Sequence, residues 1–254
     1  MFNNRLLYLW SPLLLLSGWE LAARLAWIDA RFFPAPLTIF HYLIFISPDE
    51  GIFQDVIASL SRIFFGYSLG AFFGISLGIA MGLHRLTRLG LYPLIAATYP
   101  IPKIAILPLI MLIFGIGELS KIMVVAIGSF FLILLNTLHG VDSIQKIHHD
   151  VSSVYRIRGW AYFRHVIFPA CLPSIFTGLK LAIGYSLVIV VAAEFSGANK
   201  GIGYLIWQSW ETFSIHAMYA AIFVIGLLGF LFAYSIDWLE RKIVPWHTNN
   251  NNLS

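Results

Sequence analysis

The chain is poor in charge and has almost no sulfur for cross-linking. Of its 254 residues only 11% are charged, against roughly a quarter in an ordinary soluble domain. A single cysteine, Cys171, excludes an intramolecular disulfide and any metal cage built on cysteines. No Gly-x-x-x-x-Gly-Lys-Ser/Thr string occurs, so any ATP hydrolysis belongs to another polypeptide. His148 and His149 are adjacent, which points them to different sides of a helix and gives no metal-binding pair; no metal site is expected. No Ser/His/Asp set or carboxylate pair stands out, and an enzyme has little to rest on. The formal charge of +4 needs no nucleic acid to account for it.

What the chain does have is apolar length. Hydrophobic residues make up 59% and the mean hydropathy is +0.82, which places the protein in a membrane. The runs are apolar on every face, which argues for helices over the alternating strands of a barrel. At about 20 residues per span, six runs qualify: Leu6 to Ile28, Leu60 to Leu83, Leu89 to Phe114, Ile122 to Leu138, Ile175 to Phe195 and Ala217 to Leu239. The first is read as a span and not as a cleaved signal peptide, because no small-x-small site precedes Trp27.

Between the fourth and fifth runs lies a polar island, His139 to His165, closed by Phe168-Pro169-Ala170-Cys171-Leu172-Pro173. Lys146, Arg156, Arg158 and Arg164 outnumber Asp142 and Asp150 there, and each charge would cost roughly 2.5 to 3.5 kcal/mol at the centre of a spanning helix. The island is therefore a loop. Val151 to Phe163 lacks proline and predicts a short exposed helix, apolar on one face (Val151, Val154, Tyr155) and basic on the other. Such a helix can dock on a soluble partner, or its charges can simply anchor the loop. With the N-terminus in the cytoplasm, Arg5, Arg85, Arg88, Lys146, Arg156, Arg158, Arg164, Arg241 and Lys242 all fall on that side, and the acids Asp29, Asp49, Glu50, Asp55, Glu118 and Glu211 cluster on the other. The positive-inside bias thus places both termini in the cytoplasm.

Two spans carry a pattern. Gly66, Gly70, Gly74, Gly78 and Gly82 repeat every four residues in the second, a ridge that lets another helix approach closely, inside the bundle or at a subunit seam. The third is punctuated by Pro93, Pro100, Pro102 and Pro108, with Lys103 in the middle and Phe114-Gly115-Ile116-Gly117 beyond. Those prolines must interrupt the helical hydrogen bonds. A broken helix at membrane depth survives only when buried in protein or lining a water-filled cavity, so Pro100, Pro102, Lys103, Pro108 and Phe114 are candidates for pathway lining, with a kinked scaffold helix as the alternative. Lys103 can meet an anionic solute or snorkel to the headgroups. Glu194, ending the fifth run before the glycine-rich Gly197 to Gly203, joins the pathway candidates.

At these residues the sequence resembles a family. The island is similar to the Glu-Ala-Ala loop of the membrane subunits of ATP-binding-cassette importers, which runs Glu-Ala-Ala-x3-Gly-x9-Ile-x-Leu-Pro. Setting Phe168-Pro169 on the closing Leu-Pro puts Val166 on the Ile, Arg156 on the Gly and Asp150-Val151-Ser152 on the Glu-Ala-Ala. Arg156 replaces a turn-permitting glycine, and Gly159 stands three residues on. Ser59-Leu60-Ser61-Arg62-Ile63, Ile101-Pro102-Lys103-Ile104-Ala105-Ile106-Leu107-Pro108, Phe114-Gly115-Ile116-Gly117, and Ala193-Glu194-Phe195 followed by Gly201-Ile202-Gly203 resemble the nitrate/sulfonate/taurine branch, over about Phe33 to Trp246.

The resemblance implies an all-α integral membrane protein with the type I importer permease fold and a cytoplasmic coupling helix before the fifth span. It implies a first helix and external segment over 1–54, a permease core over 55–242 and a polar cytoplasmic tail over 243–254. Asp150, Val151, Ser152, Val154, Tyr155, Arg156, Ile157, Arg158 and Gly159 would meet the ATPase. The partners implied are ABC ATPase subunits that carry the ATP and magnesium, a second permease subunit, most simply another copy, an external solute-binding protein, periplasmic or lipid-anchored, and the lipid bilayer of a bacterial cytoplasmic membrane. This chain itself needs no cofactor. The rival is an ion-gradient-driven secondary transporter, which would want mid-span carboxylates and an internal repeat; Glu20, Glu118, Glu194 and Asp237 all fall near span ends.

Overall fold

A computed structural model describes residues 4–45 and 51–248, with the side chains of 4–9 and 247–248 outside the description. Arg5's side chain, Asp49, Glu50 and the tail beyond 248 therefore lie outside the described residues. Every regular element among those residues is helical: α1 (Asn4–Arg24), α2 (Pro36–Phe45), α3 (Ile52–Leu83), α4 (Arg85–Thr98), α5 (Leu107–Phe114), α6 (Glu118–Asp142), α7 (Lys146–Val154), α8 (Gly159–Tyr162), a π-helical turn (Phe163–Ile167), α9 (Phe168–Glu194), α10 (Ile202–Glu211), α11 (Ile215–Ile243) and α12 (Pro245–Thr248).

Four helical runs are long and apolar enough to cross a membrane: α3, α6, the continuous run Gly159–Glu194, and α11. At 1.5 Å per residue, the 32 residues of α3 reach roughly 48 Å, more than the hydrocarbon core, so its ends project. Four of the six runs expected from hydropathy lie on these helices; the other two lie on α1 and on the α4–α5 pair. Leu89 to Phe114 is not one helix. Pro102 has no N–H to serve the Thr98 carbonyl, and the chain leaves the helix after Thr98, to resume at Leu107 with Pro108 in the first turn of α5, where its missing donor costs nothing.

The glycine ridge is used inside the chain. A Cβ on Gly66 would lie 2.6 Å from the Ile122 carbonyl oxygen, on Gly70 2.6 Å from that of Ala126, on Gly74 3.0 Å from that of Phe130 and on Gly78 2.9 Å from that of Leu134. Four-residue steps on α3 match four-residue steps on α6, so the two helices run parallel with backbones in contact, which only glycine permits. α6 is the centre of the bundle: over half of its most apolar stretch is buried, against 17% for α11. On its other side it meets α9 antiparallel, where Gly140 faces Ser174 and Gly178 faces Asn136. The main core gathers Ile63, Leu107, Val124, Val125, Ile183 and Val190 from α3, α5, α6 and α9.

Gly70→Val is accordingly expected to force α3 off α6 and destabilise the fold by about 3 kcal/mol or more. Gly226→Ala, with nothing within 4 Å, should leave thermal unfolding in detergent unchanged. Equal midpoints for the two variants would show that the ridge is not a contact.

Candidate functional site

Three constructions stand out: the island at one end of the bundle, an ionic clasp at the other, and the break between α4 and α5.

At the island end, Ser143 caps α6 through its N–H to the His139 carbonyl (2.9 Å), and Arg88 ties the start of α4 to Asp142 with two bonds of 2.7 and 2.8 Å. The short helix sits earlier than the expected Val151 to Phe163: α7 covers Lys146–Val154. Its end is a left-handed turn. The Ile157 N–H bonds the Ser152 carbonyl (2.9 Å), the Arg156 N–H bonds that of Ser153 (3.1 Å), and Arg156 has φ +53°. This pair of bonds around a left-handed residue is the usual way a helix closes on glycine. Arg156 therefore occupies the conformation that its place opposite the family glycine implies, at a backbone cost of roughly 1 kcal/mol. Gly159, at φ +59°, makes a second left-handed step into α8. Both residues turn the chain.

Tyr162 of α8 bonds His149 Nδ1 of α7. Behind α7 lies a cleft of about 630 Å³, lined by Ser143, Gln145, His148, Ser152, His165 and Trp246 among others. The outer surface is apolar where a loop should be polar. Val154 is 80% exposed, Tyr155 74% and Trp160 71%, with Ile147 and Val151 beside them. Asp150, Arg156, Arg158 and Gly159 are exposed, Ile157 is half-buried, and Ser152 is turned inward to the His149 carbonyl (2.7 Å). Of the nine coupling candidates, Val154 and Tyr155 offer the most apolar surface, and Trp160, absent from that set, adds to it.

At the far end, four strings that lie far apart in sequence converge. Arg62 of α3 is fully buried. Its Nη1 donates to Glu194 Oε1 of α9 (2.6 Å) and the Lys200 carbonyl (2.8 Å), and its Nε and Nη2 donate to Glu118 of α6 (2.6 Å each). Glu194 also accepts Ser59 Oγ (2.7 Å) and the Gly203 N–H (2.8 Å). The Ile202 N–H bonds Ser59 Oγ and the Gly201 N–H bonds Asp55, so the orphan donors at the start of α10 are met by side chains of α3 and α9. Lys121 Nζ pins the Gly197 carbonyl (3.0 Å). A Cβ on Gly203 would lie 2.9 Å from Glu194 Cβ, so close seating of α10 requires that glycine. Glu194 is thus no free pathway carboxylate: it is 1% exposed and bonded throughout. Arg62, Ser59, Asp55, Glu118 and Lys121 were not sequence candidates. The available signal was an arginine inside an apolar run, which demands a counter-ion.

In the break, Pro100, Pro102, Pro108 and Phe114 are exposed. Lys103 is not; at 4% exposure it neither snorkels nor faces a solute. Its Nζ donates to the carbonyls of Thr98 (2.8 Å), Tyr99 (3.0 Å) and Ile101 (2.9 Å) and lies 4.0 Å from the centre of the Phe131 ring. No cluster of three or more potential ligands for a metal occurs among the described residues.

The chain is similar to known proteins. The family model for the binding-protein-dependent transport system inner membrane component matches residues 57–245. The aliphatic sulfonates transport permease protein SsuC of Escherichia coli (strain K12) is 36% identical over 236 residues, covering 93% of this chain and 90% of its own. The taurine transport system permease protein TauC of the same organism is 34% identical, covering 92% and 86%. Among solved structures, the inward-facing MetNI methionine ABC transporter superposes with a TM-score of 0.69 over 78% of this chain and 98% of its own, at 16% identity, a likeness of fold.

Proposed function

From the premise that the chain belongs to the inner membrane components of binding-protein-dependent transport systems, a permease subunit of an ABC importer whose ATPase is a separate subunit, we propose that the island is the surface through which that ATPase drives it. The observation that carries this reading is the apolar pair Val154 and Tyr155, each more than 70% exposed on a loop too charged to lie in lipid, with Trp160 exposed at the start of the run that follows. A bilayer cannot cover it without taking in Arg156 and Arg158, so a protein surface must.

In this reading α1 and the α4–α5 pair join the four long runs to make six spanning segments. Both termini and the island lie in the cytoplasm; the clasp and α10 face outward, toward a solute-binding protein. The core runs over 55–242, with 1–54 before it and a polar tail after. Two copies of the chain enclose the pathway, lined on each side by the exposed face of the break and by Phe114, in a bacterial cytoplasmic membrane. The solute is a small molecule of the nitrate, sulfonate or taurine class, because permeases similar to this one over more than nine tenths of the chain are named for sulfonates and taurine. Gradient-driven transport is disfavoured by Glu194, whose carboxylate is held by Arg62, Ser59 and Gly203 and has no freedom to release an ion.

The orientation is tested by cysteine labelling in a Cys171→Ser background. His148→Cys should resist an impermeant maleimide in intact cells and react after lysis, whereas Lys200→Cys should react in intact cells. The reverse pattern would put the island outside and remove it from any ATPase.

A further inference from the structure

We propose that Lys103 is the positioning residue of the transport pathway: its ammonium, folded beneath the Pro100–Pro102 turn, holds the break in the shape through which the two halves of the interrupted span move together. The inference rests on the reading that the break lines the pathway. It goes beyond that reading by assigning the break's geometry to one side chain.

The two halves are anchored separately. α4 is fastened through Ile95 to Met81, Leu134 and Leu138, and α5 through Leu107 and Ile110 to Val124, Val125 and Ile183. Between them residues 99–106 form turns held by few backbone bonds, Ile101 N–H to Thr98, Ala105 N–H to Pro102 and Leu107 N–H to Ile104. Pro102 has no N–H for the Thr98 carbonyl, which keeps only the Ile101 N–H, and the turn takes the carbonyls of Tyr99 and Ile101 out of the helical pattern, where each needs another donor. An ammonium has three N–H bonds, and here three carbonyls take them: Thr98, Tyr99 and Ile101.

The Phe131 ring closes the remaining side and ties the cluster to α6. These partners are neutral dipoles. A salt bridge would fix the lysine to one point, whereas this cage fixes the backbone to the lysine. On the opposite side Tyr99, Pro100, Ile101, Pro102 and Ile104 are exposed, an apolar wall with its cation concealed behind it. Movement of α4 relative to α5 must pass through this turn, and Lys103 decides whether the turn moves as a unit.

The experiment uses the complete importer, two permease chains with their ATPase, in nanodiscs, with Ile101→Cys and Cys171→Ser as the reporter. Maleimide labelling of the cysteine is compared at rest and after vanadate trapping with MgATP, alongside ATP hydrolysis. With Lys103 or Lys103→Arg, labelling should change by about tenfold or more between the two states. Lys103→Met should lose that change while the complex still assembles and hydrolyses ATP; a merely structural lysine would lower assembly and hydrolysis together. If the methionine variant fails to assemble, Lys103→Gln, which keeps two donors but not the charge, is compared with arginine and should show a reduced change. A full change in an assembled Lys103→Met or Lys103→Gln complex would overturn the proposal. A reporter that never reacts in the native-Lys103 complex would instead overturn the pathway reading, and with it the proposal that rests on it.

Discussion

Arg62→Met is expected to cost the permease about 3 to 5 kcal/mol, the penalty for breaking a buried pair by removing one partner. That is a large share of the 5 to 15 kcal/mol by which proteins are usually stable. The arginine side chain is 2% exposed and that of Glu194 0%, so the deletion leaves a carboxylate with no water to receive it. It also releases the Lys200 carbonyl and frees one carboxylate that holds α6 to α3. Glu118, by contrast, is 64% exposed, and water can replace its partner. Glu118→Gln should therefore cost less than about 1 kcal/mol. Thermal unfolding of the detergent-solubilised chain reads both. The double variant Arg62→Met with Glu194→Gln should recover part of the loss, since no charge is then stranded. If Arg62→Met melted no lower than Glu118→Gln, the clasp would be ornamental.

That clasp also marks where sequence reading ends. Composition is enough to require an all-helical membrane protein, and the four-residue glycine period is enough to require a close helix contact, because both are local properties with local causes. The prolines of the third span foretell a break for the same reason: a missing N–H is missing in any fold. Arg62 and Glu194 lie 132 positions apart in the sequence, and no spacing rule joins them. Each string is visible by itself, but the network is a property of four helices, α3, α6, α9 and α10, meeting at one end.

Lys103 misled in the opposite way. Its chemistry in a membrane suggests headgroups or anions, and only the prolines beside it, read as a source of unserved carbonyls, point to the role it has. α7 starts five residues and ends nine residues before the expected helix, because its stop signal is an arginine. Helix ends are found by looking for glycine and proline, and Arg156 adopts the left-handed turn without advertising it. Hydropathy has the same limit at Leu89 to Phe114, which it counts as one run through a break that divides the backbone into α4 and α5.

Tyr155→Ala is expected to weaken association with the ATPase by about 30-fold, the equivalent of 2 kcal/mol for an aromatic anchor at an interface. Tyr155 closes α7 and is 74% exposed, with Val154 beside it at 80%, so its ring is free to enter a partner's pocket without unpacking anything of its own. Arg158 lies beyond the left-handed turn at the edge of this patch, where a charge keeps its water, and Arg158→Ala should cost under about 1 kcal/mol. The comparison separates docking from anchoring. If the island only holds the loop against the membrane surface, loss of Arg158 should matter at least as much as loss of Tyr155. Both variants should insert normally, because neither residue lies in a spanning run. Co-purification of the ATPase and ATP hydrolysis stimulated by the binding protein measure the outcome. Should Tyr155→Ala and Arg156→Glu both leave assembly, stimulation and uptake at the level of the unaltered chain, the island would be an anchor, and energy coupling would have to be sought elsewhere on the chain.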